Sequence, residues 1–484
     1  MERSEAEAIF ESGRERCVEF MLQLVVTVER LEERVRRLEE TARQDSRTSS
    51  KPPSQDPPKT RQQRRAEARA KAKELVGRDA AERKAGGQAG HEGAGRELMP
   101  EDRVDEIVEH YPDACRGCGR EFSADERRPG GRFGRHQIVE LPPIGVLMVE
   151  HRTRRSRCPE CRAETTAELP AGIGFSAFGP RLRAAIVTLT ARNRISRRGA
   201  AELAGEMFGA KLSTGSVDAI CQRASDALEG PHTQLRAWLL GQRAVHVDET
   251  GWRTAGDSRA LWTMTAPGAS IFEIAEHCNR EQFDELIGPF GGIIVSDRWP
   301  GYEHLDPDRR QVCWSHLQRD FRRHSEGLAE QKTFGEHGVA LTGRVFTSWR
   351  AYQHEHHDRA HPQADLEPIK TELRALLEHA GRKSTRNRYH RRFANNLLKV
   401  WPALWTFATH PEVQPTNNPA ERALRSPVIH RKLSHGTRTE NGERFAERAL
   451  SAAATCRQQH RSLFEFMGEL LAAHTRGDPL PRLT

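Results

Sequence analysis

From residue 242 onward the apolar residues of this chain fall into short runs separated by turn residues, a spacing that demands a sheet rather than a helical bundle. Runs at 244–247, 260–265 and 271–274 read as three strands joined by tight turns. A helix at about 281–287 leads through Gly291-Gly292 to a fourth strand, 293–295, and 312–314 reads as a fifth. Two of the five end in a carboxylate: Asp248 closes His246-Val247-Asp248, and Asp297 closes Val295-Ser296-Asp297. From 317 to about 410 the pattern is mainly helical and rich in His and Arg.

Three antiparallel strands followed by an alternating helix and strand are the order of a ribonuclease-H-like mixed sheet, so the expected fold is multidomain α/β with that sheet at its centre. In such a sheet the first and fourth strands are neighbours, which brings Asp248 and Asp297 to one edge. Two carboxylates facing each other there repel unless divalent cations lie between them. A third acid is expected from a helix beside the sheet. Asn417-Asn418-Pro419-Ala420-Glu421-Arg422 starts one, with Pro419 suited to its first position and Glu421 in its first turn. Two Mg²⁺ or Mn²⁺ ions about 4 Å apart, held by Asp248, Asp297 and Glu421, suit phosphodiester cleavage and transfer. The neighbouring acids Glu249 and Asp257 are expected to be dispensable, and Glu443 and Glu447 stand as the next acids downstream.

At 484 residues the chain is too long for one core. Cys17, Met21, Leu24, Val28, Leu31, Val35 and Leu38 alternate steps of four and three, a heptad seam that predicts a zipper within 1–44 and a homo-oligomer, at least a dimer. Residues 45–100, dominated by Pro, Gly, Ser and Lys, read as a basic flexible linker. The net charge of +8 favours an anionic partner, and its clustering says more than its total. Seven basic residues face one acid between Lys59 and Lys73, including Arg61, Arg64 and Arg65. The cluster Arg382, Lys383, Arg386, Arg388, Arg391 and Arg392 faces no acid at all. Both are candidate phosphate contacts to double-stranded DNA. The sequence has no apolar run long enough for a membrane span and no signal core near its start, so a cytoplasmic, nucleoid-associated protein without a membrane partner is expected.

Cys115-Arg-Gly-Cys118 and Cys158-Pro-Glu-Cys161 lie thirty-nine residues apart within a segment at 101–175. A CxxC turn presents two thiolates to one ion, and two such turns complete the tetrahedral sulfur site that zinc prefers. His136 and His151, between the pairs, are alternative ligands without regular spacing. Residues 176–232 hold three helical patterns, at 182–189, 200–207 and 217–224, with Gly209 between the last two. They resemble a helix-turn-helix, although the third is poor in arginine and reads equally as part of a structural bundle. The remaining segments read as a catalytic core at 233–316, a helical insertion at 317–412, the final helical part of the core at 413–460, and a C-terminal helix and tail at 461–484.

Taken in order, Ser-Ser-Lys-Pro-Pro-Ser at 49–54, Gly-Gly-Gln-Ala-Gly-His at 86–91, the two CxxC pairs, His246-Val-Asp-Glu-Thr250, Ser296-Asp297, Cys313-Trp-Ser-His316 and Asn417-Asn-Pro-Ala-Glu-Arg422 resemble the insertion sequence sixty-six family of transposases. The resemblance runs from about residue 17 to beyond Arg448. It implies a DNA transposase that binds element ends and target DNA, with Asp248, Asp297 and Glu421 as the catalytic acids and companion proteins of the same element as further partners. His316 and Arg319 are then candidates for phosphate contact or proton transfer, while local packing explains His316 equally well. The chain departs from the family pattern at Ala89, where proline is usual, and at Leu433-Ser434, where Asn-Trp is common. Two other functions fit parts of the sequence: a DNA-binding regulator with inert acids, and a structure-specific nuclease on the same fold.

The paired cysteines yield a direct prediction. Purified protein should carry about one zinc per chain, lost when Cys115 and Cys158 are both changed to Ser. Elemental analysis finding the same zinc in that variant refutes the assignment.

Overall fold

A computed structural model describes residues 98–126, 134–142, 144–170, 172–173, 176–327, 329–355, 360–385 and 387–484, with residues 13 and 18 singly. The heptad positions Cys17, Met21, Leu24, Val28, Leu31, Val35 and Leu38, the basic run at 59–73 and Arg386 lie outside the described residues. The chain divides into two compact units, one comprising 58–145 and the other containing 146–484. In the first, the backbone and side chains around Met99 are tied together: Gln137 Nε2 and Arg135 Nη2 donate to the Met99 carbonyl, and the Met99 N–H donates to Gln137 Oε1.

The second unit begins with a two-stranded ribbon, β1 (Arg155–Arg157) and β2 (Glu164–Thr166). Three helices follow: α1 (Pro180–Val187), α2 (Arg197–Phe208) and α3 (Thr214–Leu240). Ser196 and Ser213 cap α2 and α3 through their hydroxyls, and Gly209 ends α2 in the left-handed conformation. The third helix is much longer than the sequence pattern implied. It runs for 27 residues because Leu228, Leu235 and Leu239 continue the buried stripe begun by Val217, Ile220 and Ala224.

Its end delivers the chain into a five-stranded sheet: β3 (Ala244–Thr254), β4 (Asp257–Ala266), β5 (Ala269–Ala275), β6 (Ile293–Ser296) and β7 (Arg310–Val312). The spatial order is β5-β4-β3-β6-β7; β3, β4 and β5 pair antiparallel, and β6 and β7 extend the sheet parallel to β3. Helix α4 (Arg280–Ile287) makes the crossover from β5 to β6. The tight turn between β3 and β4 holds Ala255 and Gly256 at φ of 52° and 98°, the double positive φ of a twisted two-residue hairpin.

Both sheet edges are closed by side chains. On β5 the N–H groups of Ser270, Phe272 and Ile274 donate to Thr455 Oγ1, Ser451 Oγ and Glu447 Oε1. Those acceptors recur every four residues along α11 (Glu440–Gln458), numbered below in chain order. Four residues of helix rise about 6 Å and two of strand about 6.8 Å, so the helix can serve as an extra strand at this edge. On β7, Thr406 Oγ1 donates to the Arg310 carbonyl and Gln311 Oε1 accepts from the Phe407 N–H.

After β7 come α5 (Trp314–Ser325), α6 (Ala329–Glu355), α7 (Ala360–Gly381), α8 (Arg388–Lys399) and the short α9 (Thr406–Thr409). They share one apolar core with Val295 and Val312, built on Trp314, Phe321, Leu366, Leu373, Leu397 and Trp405. Helices α10 (Asn418–Ser434), α11 and α12 (Leu463–Arg476) complete the chain. A second core joins α1–α3, α12 and the sheet through residues such as Ile186, Leu228, Trp262, Phe283 and Phe466. No helix among the described residues is long and apolar enough to cross a membrane.

Gly292 sets the entry of β6. A Cβ there would lie 2.5 Å from the Arg243 carbonyl oxygen and 2.8 Å from that of Gln242, where the two strands begin to pair. Gly292→Ala should therefore lower unfolding stability by about 1–3 kcal/mol. An unchanged denaturant midpoint at equal slope would show that the approach is not as close as described.

Candidate active site

Pairing between β3 and β6 ends at His246 and Val295. Asp248 lies two residues beyond that point but within β3, not at its close as the sequence pattern implies, because pairing with β4 carries the strand on to Thr254; Asp297 follows the last residue of β6. Neighbouring parallel strands therefore bring both acids to one edge of the sheet. The edge continues on β7, where the Cys313 N–H donates to the Ser296 carbonyl at 2.9 Å immediately before α5 begins. Each aspartate has one oxygen fixed by backbone: Asp248 Oδ1 accepts from the Glu249 N–H at 3.0 Å, and Asp297 Oδ1 from the Trp299 N–H at 2.9 Å.

Glu421 arrives from far along the chain, in the first turn of α10 with proline beside the helix start. The residue that fixes this start is Asn417, completely buried. Its Nδ2 donates to the Val247 carbonyl at 2.8 Å, its Oδ1 faces His246 Nδ1 at 3.2 Å, and its own N–H donates to Cys313 Sγ at 3.1 Å. One amide thus joins β3, the end of β7 and the beginning of α10. Glu421 Oε1 lies 3.3 Å from Arg319 Nη2 and 3.5 Å from His316 Nδ1. Arg319 Nη2 also lies 3.1 Å from His316 Nε2.

The electrostatics single out Asp248. Burial pushes its carboxyl well above the ordinary range, and repulsion from Glu249, Asp297 and Glu421 pushes it further. Burial, then the charge of Asp297, raises Glu249 to about 7 even though the Tyr302 hydroxyl donates to Glu249 Oε2 at 2.9 Å. Burial and then the Arg319 charge lower the His316 imidazole, against the pull of Asp297 and Glu421. Beneath the site, buried Arg310 donates to the Asp297 and Tyr302 carbonyls, and burial lowers its guanidinium to about 10. A concentration of oxygen donors whose mutual repulsion is incompletely neutralised fits hard divalent cations, which take carboxylates as ligands.

Glu249 departs from the sequence expectation. The sequence reads it as a neighbour outside the site; in the structure it is half-buried beside the acids and hydrogen-bonded to Tyr302. Strict alternation along a strand assigns Asp248 and Glu249 to opposite faces, and only the long-range return of residues 297–302 brings Tyr302 onto Glu249. Asp257, by contrast, is exposed at the β3–β4 turn. The downstream acids have other partners: Glu443 accepts from Thr254 Oγ1 and lies near Arg259, while Glu447 closes the β5 edge.

The two CxxC pairs lie in different units, and each has the same local build. Cys115 N donates to the Arg120 carbonyl and Gly119 N to the Cys115 carbonyl; Cys158 N donates to the Ala163 carbonyl and Arg162 N to the Cys158 carbonyl. Gly119 and Arg162, at equivalent places, both have positive φ. Backbone N–H groups of Cys118 and Gly117 lower the Cys115 thiol, and those of Cys161 and Glu160 lower Cys158. Each turn therefore eases loss of the thiol proton, which metal binding requires. His136 and His151 are exposed. In the basic cluster, Arg382, Lys383, Arg388 and Arg392 are exposed, whereas Arg391 ties its own loop by donating to the Lys383 and Thr385 carbonyls.

The five-stranded mixed sheet thus brings acids from separated segments together, with helices α5–α9 between its last strand and the helix that carries Glu421. The chain belongs to the transposase IS66 family, whose model matches residues 176–444. Residues 2–97 match a family of unknown function. An uncharacterized protein of Sinorhizobium fredii, y4hP, is 22% identical over 421 residues, covering 78% of this chain and 73% of that protein.

The raised Glu249 carboxyl has a pH signature. Its ordinary value is 4.5 and its folded value about 7, so between those limits the folded state binds the extra proton and ionisation costs stability as pH rises. In metal-free protein, Glu249→Gln should shift stability relative to the parent by an amount that grows more favourable to the variant from about pH 4.5 to pH 7. A difference between the two that stays flat across that window in thermal unfolding rules out the buried, raised carboxyl.

Proposed function

We propose that this chain is the DNA-cutting and DNA-joining enzyme of an insertion sequence, with Asp248, Asp297 and Glu421 as its catalytic acids on a ribonuclease-H-like sheet. The observation that carries the reading is the convergence of these three carboxylates, one from within β3, one from the end of β6 and one from a helix start. A purely structural role explains them poorly. Buried acids are ordinarily paired with cations, because an unpaired buried charge costs several kcal/mol, whereas Asp248 is surrounded mainly by other acids. Strain of that kind marks a site kept for function.

Asp248, Asp297 and Glu421 would hold two Mg²⁺ or Mn²⁺ ions. When bound, such ions supply activation of the attacking oxygen and stabilisation of the leaving oxygen of a phosphodiester. The chain's own residues do the positioning. Pairing of β3 with β4 fixes Asp248, the end of β6 fixes Asp297, their backbone-held oxygens limit rotation, and Asn417 sets the height of Glu421 against β3. Arg319 holds Glu421 through a charge-assisted contact and offers its remaining donors to a phosphate. The exposed Arg382, Lys383, Arg388 and Arg392, with Arg61, Arg64 and Arg65 near the start of the chain, are proposed to contact the DNA backbone without reading bases. The cysteine turns are proposed as zinc ligands, giving a structural metal separate from the catalytic ones.

Changing Asp248 or Asp297 to Asn, or Glu421 to Gln, should leave folding and DNA binding intact while cleavage and joining of an element-end substrate in Mg²⁺ fall about a thousandfold or more. Asp257→Asn is the matched control and should stay near parental activity. Normal cleavage and joining by all three variants would remove the proposed mechanism. Cleavage without joining by the parental protein would instead identify a nuclease.

A further inference from the structure

Glu421 belongs to a second constellation. Cys313 Sγ, a ring nitrogen of His316 and a carboxylate oxygen of Glu421 all lie within 4.8 Å of one another. Cys313 is the residue before α5 and His316 is in its first turn, a spacing of three that places both on one side of the helix start. Glu421 approaches from α10. The His316 Nδ1 to Glu421 Oε1 separation is 3.5 Å. Two ligand atoms about 2.1 Å from a tetrahedral zinc are about 3.4 Å apart, so this pair already stands at the ligand–ligand distance. It is too long for a good hydrogen bond, and Nδ1 is a buried nitrogen without a hydrogen-bond partner. Cys313 Sγ accepts the Asn417 N–H at 3.1 Å, the kind of support that orients a sulfur ligand.

We propose that Cys313, His316 and Glu421 form a zinc site that competes with the catalytic cations for Glu421. The inference rests on the catalytic reading only for its effect on activity; the site itself stands on geometry. Thiolate and imidazole select a borderline-soft ion and are poor ligands for Mg²⁺, so one carboxylate serves two sets of different chemistry. Binding forms a zinc–sulfur bond and releases the Cys313 proton to solvent. It also requires a change at Arg319. In the present arrangement Arg319 donates to His316 Nε2, which leaves the imidazole proton on Nδ1. Coordination through Nδ1 moves that proton to Nε2, where it opposes the guanidinium, and Arg319 must swing away. The Arg319 pairing with Glu421 and the zinc complex are therefore alternative states, and zinc occupies the Glu421 oxygen that the catalytic cations would otherwise take.

The test uses the full chain without DNA, titrated with Zn²⁺ against a competing chelator and, separately, with Co²⁺ as a spectroscopic probe of sulfur coordination. The parental protein should bind one zinc per chain more than Cys313→Ser, and its Co²⁺ spectrum should contain a sulfur charge-transfer component that this variant lacks. Loss of an outer-shell contact alone costs about 10–100-fold in metal affinity, so loss of the Cys313 or His316 ligand should cost about a hundredfold or more. Because Cys313 is buried, His316→Ala provides a second variant with the same zinc readout. Arg319→Gln, which removes the competing guanidinium, should bind zinc more tightly than the parent. Equal stoichiometry and affinity in the parent, Cys313→Ser and His316→Ala overturn the site. In cleavage assays at saturating Mg²⁺, zinc should inhibit the parent at concentrations about a hundredfold below those needed for His316→Ala, each measured against its own zinc-free rate. Equal sensitivity overturns the competition. An active Glu421→Gln variant would overturn the catalytic reading, while the DNA-free titration would still decide the zinc site.

Discussion

The candidate site depends on one buried side-chain amide. Asn417 satisfies the Val247 carbonyl, meets the His246 ring and gives its backbone N–H to Cys313, so strand, strand end and helix start are held by one residue with no exposure to solvent. Burying an amide costs several kcal/mol unless its polar atoms are matched, and here both ends of the side chain find partners. The geometry is correspondingly narrow. Any displacement of α10 along β3 leaves the Val247 carbonyl without a donor, and this ties the position of Glu421 to the register of a strand rather than to the conformation of a loop.

Against that rigid frame the acids are arranged at a cost to stability. Asp248 and Glu249 are adjacent in sequence, both are half-buried, and Asp297 raises both carboxyls. The surrounding structure must hold them in place. Trp262, Phe283, Trp299 and Tyr302 form a continuous set of ring contacts beneath them, with Tyr302 also bound to Glu249 through its hydroxyl. Arg310 lies under the Tyr302 ring and holds the Asp297 carbonyl, placing a buried cation behind the acids without pairing with their carboxylates.

The strand pattern and the place of Asp297 after β6 were legible because strands announce themselves locally, through apolar runs and turns, whereas β3 runs on past Asp248 to Thr254 through polar residues that its pairing with β4 holds extended. The start of α10 was legible for the same reason, since Asn, Pro and an early acid are helix-start chemistry. What local pattern could not carry was anything made by return of the chain. Tyr302 joins Glu249 from 53 residues away, and α11 supplies the β5 edge with acceptors from more than 170 residues on. The full length of α3 was missed because its second half is buried by the sheet and by α12, elements that lie after it in sequence. The CxxC turns were recognisable because their spacing is itself the local structure.

The helices between β7 and α10 also order events in time. The Asn417 bond to Val247 spans 170 residues, and α5–α9 must be made before α10 exists. A chain emerging from the ribosome therefore carries the two sheet aspartates for a long interval without Glu421 beside them. A polypeptide interrupted anywhere before residue 417 remains in that condition permanently. On the reading proposed above, nascent and truncated copies are incapable of cutting DNA, and an element whose reading frame is broken late still makes a harmless product rather than an unregulated nuclease.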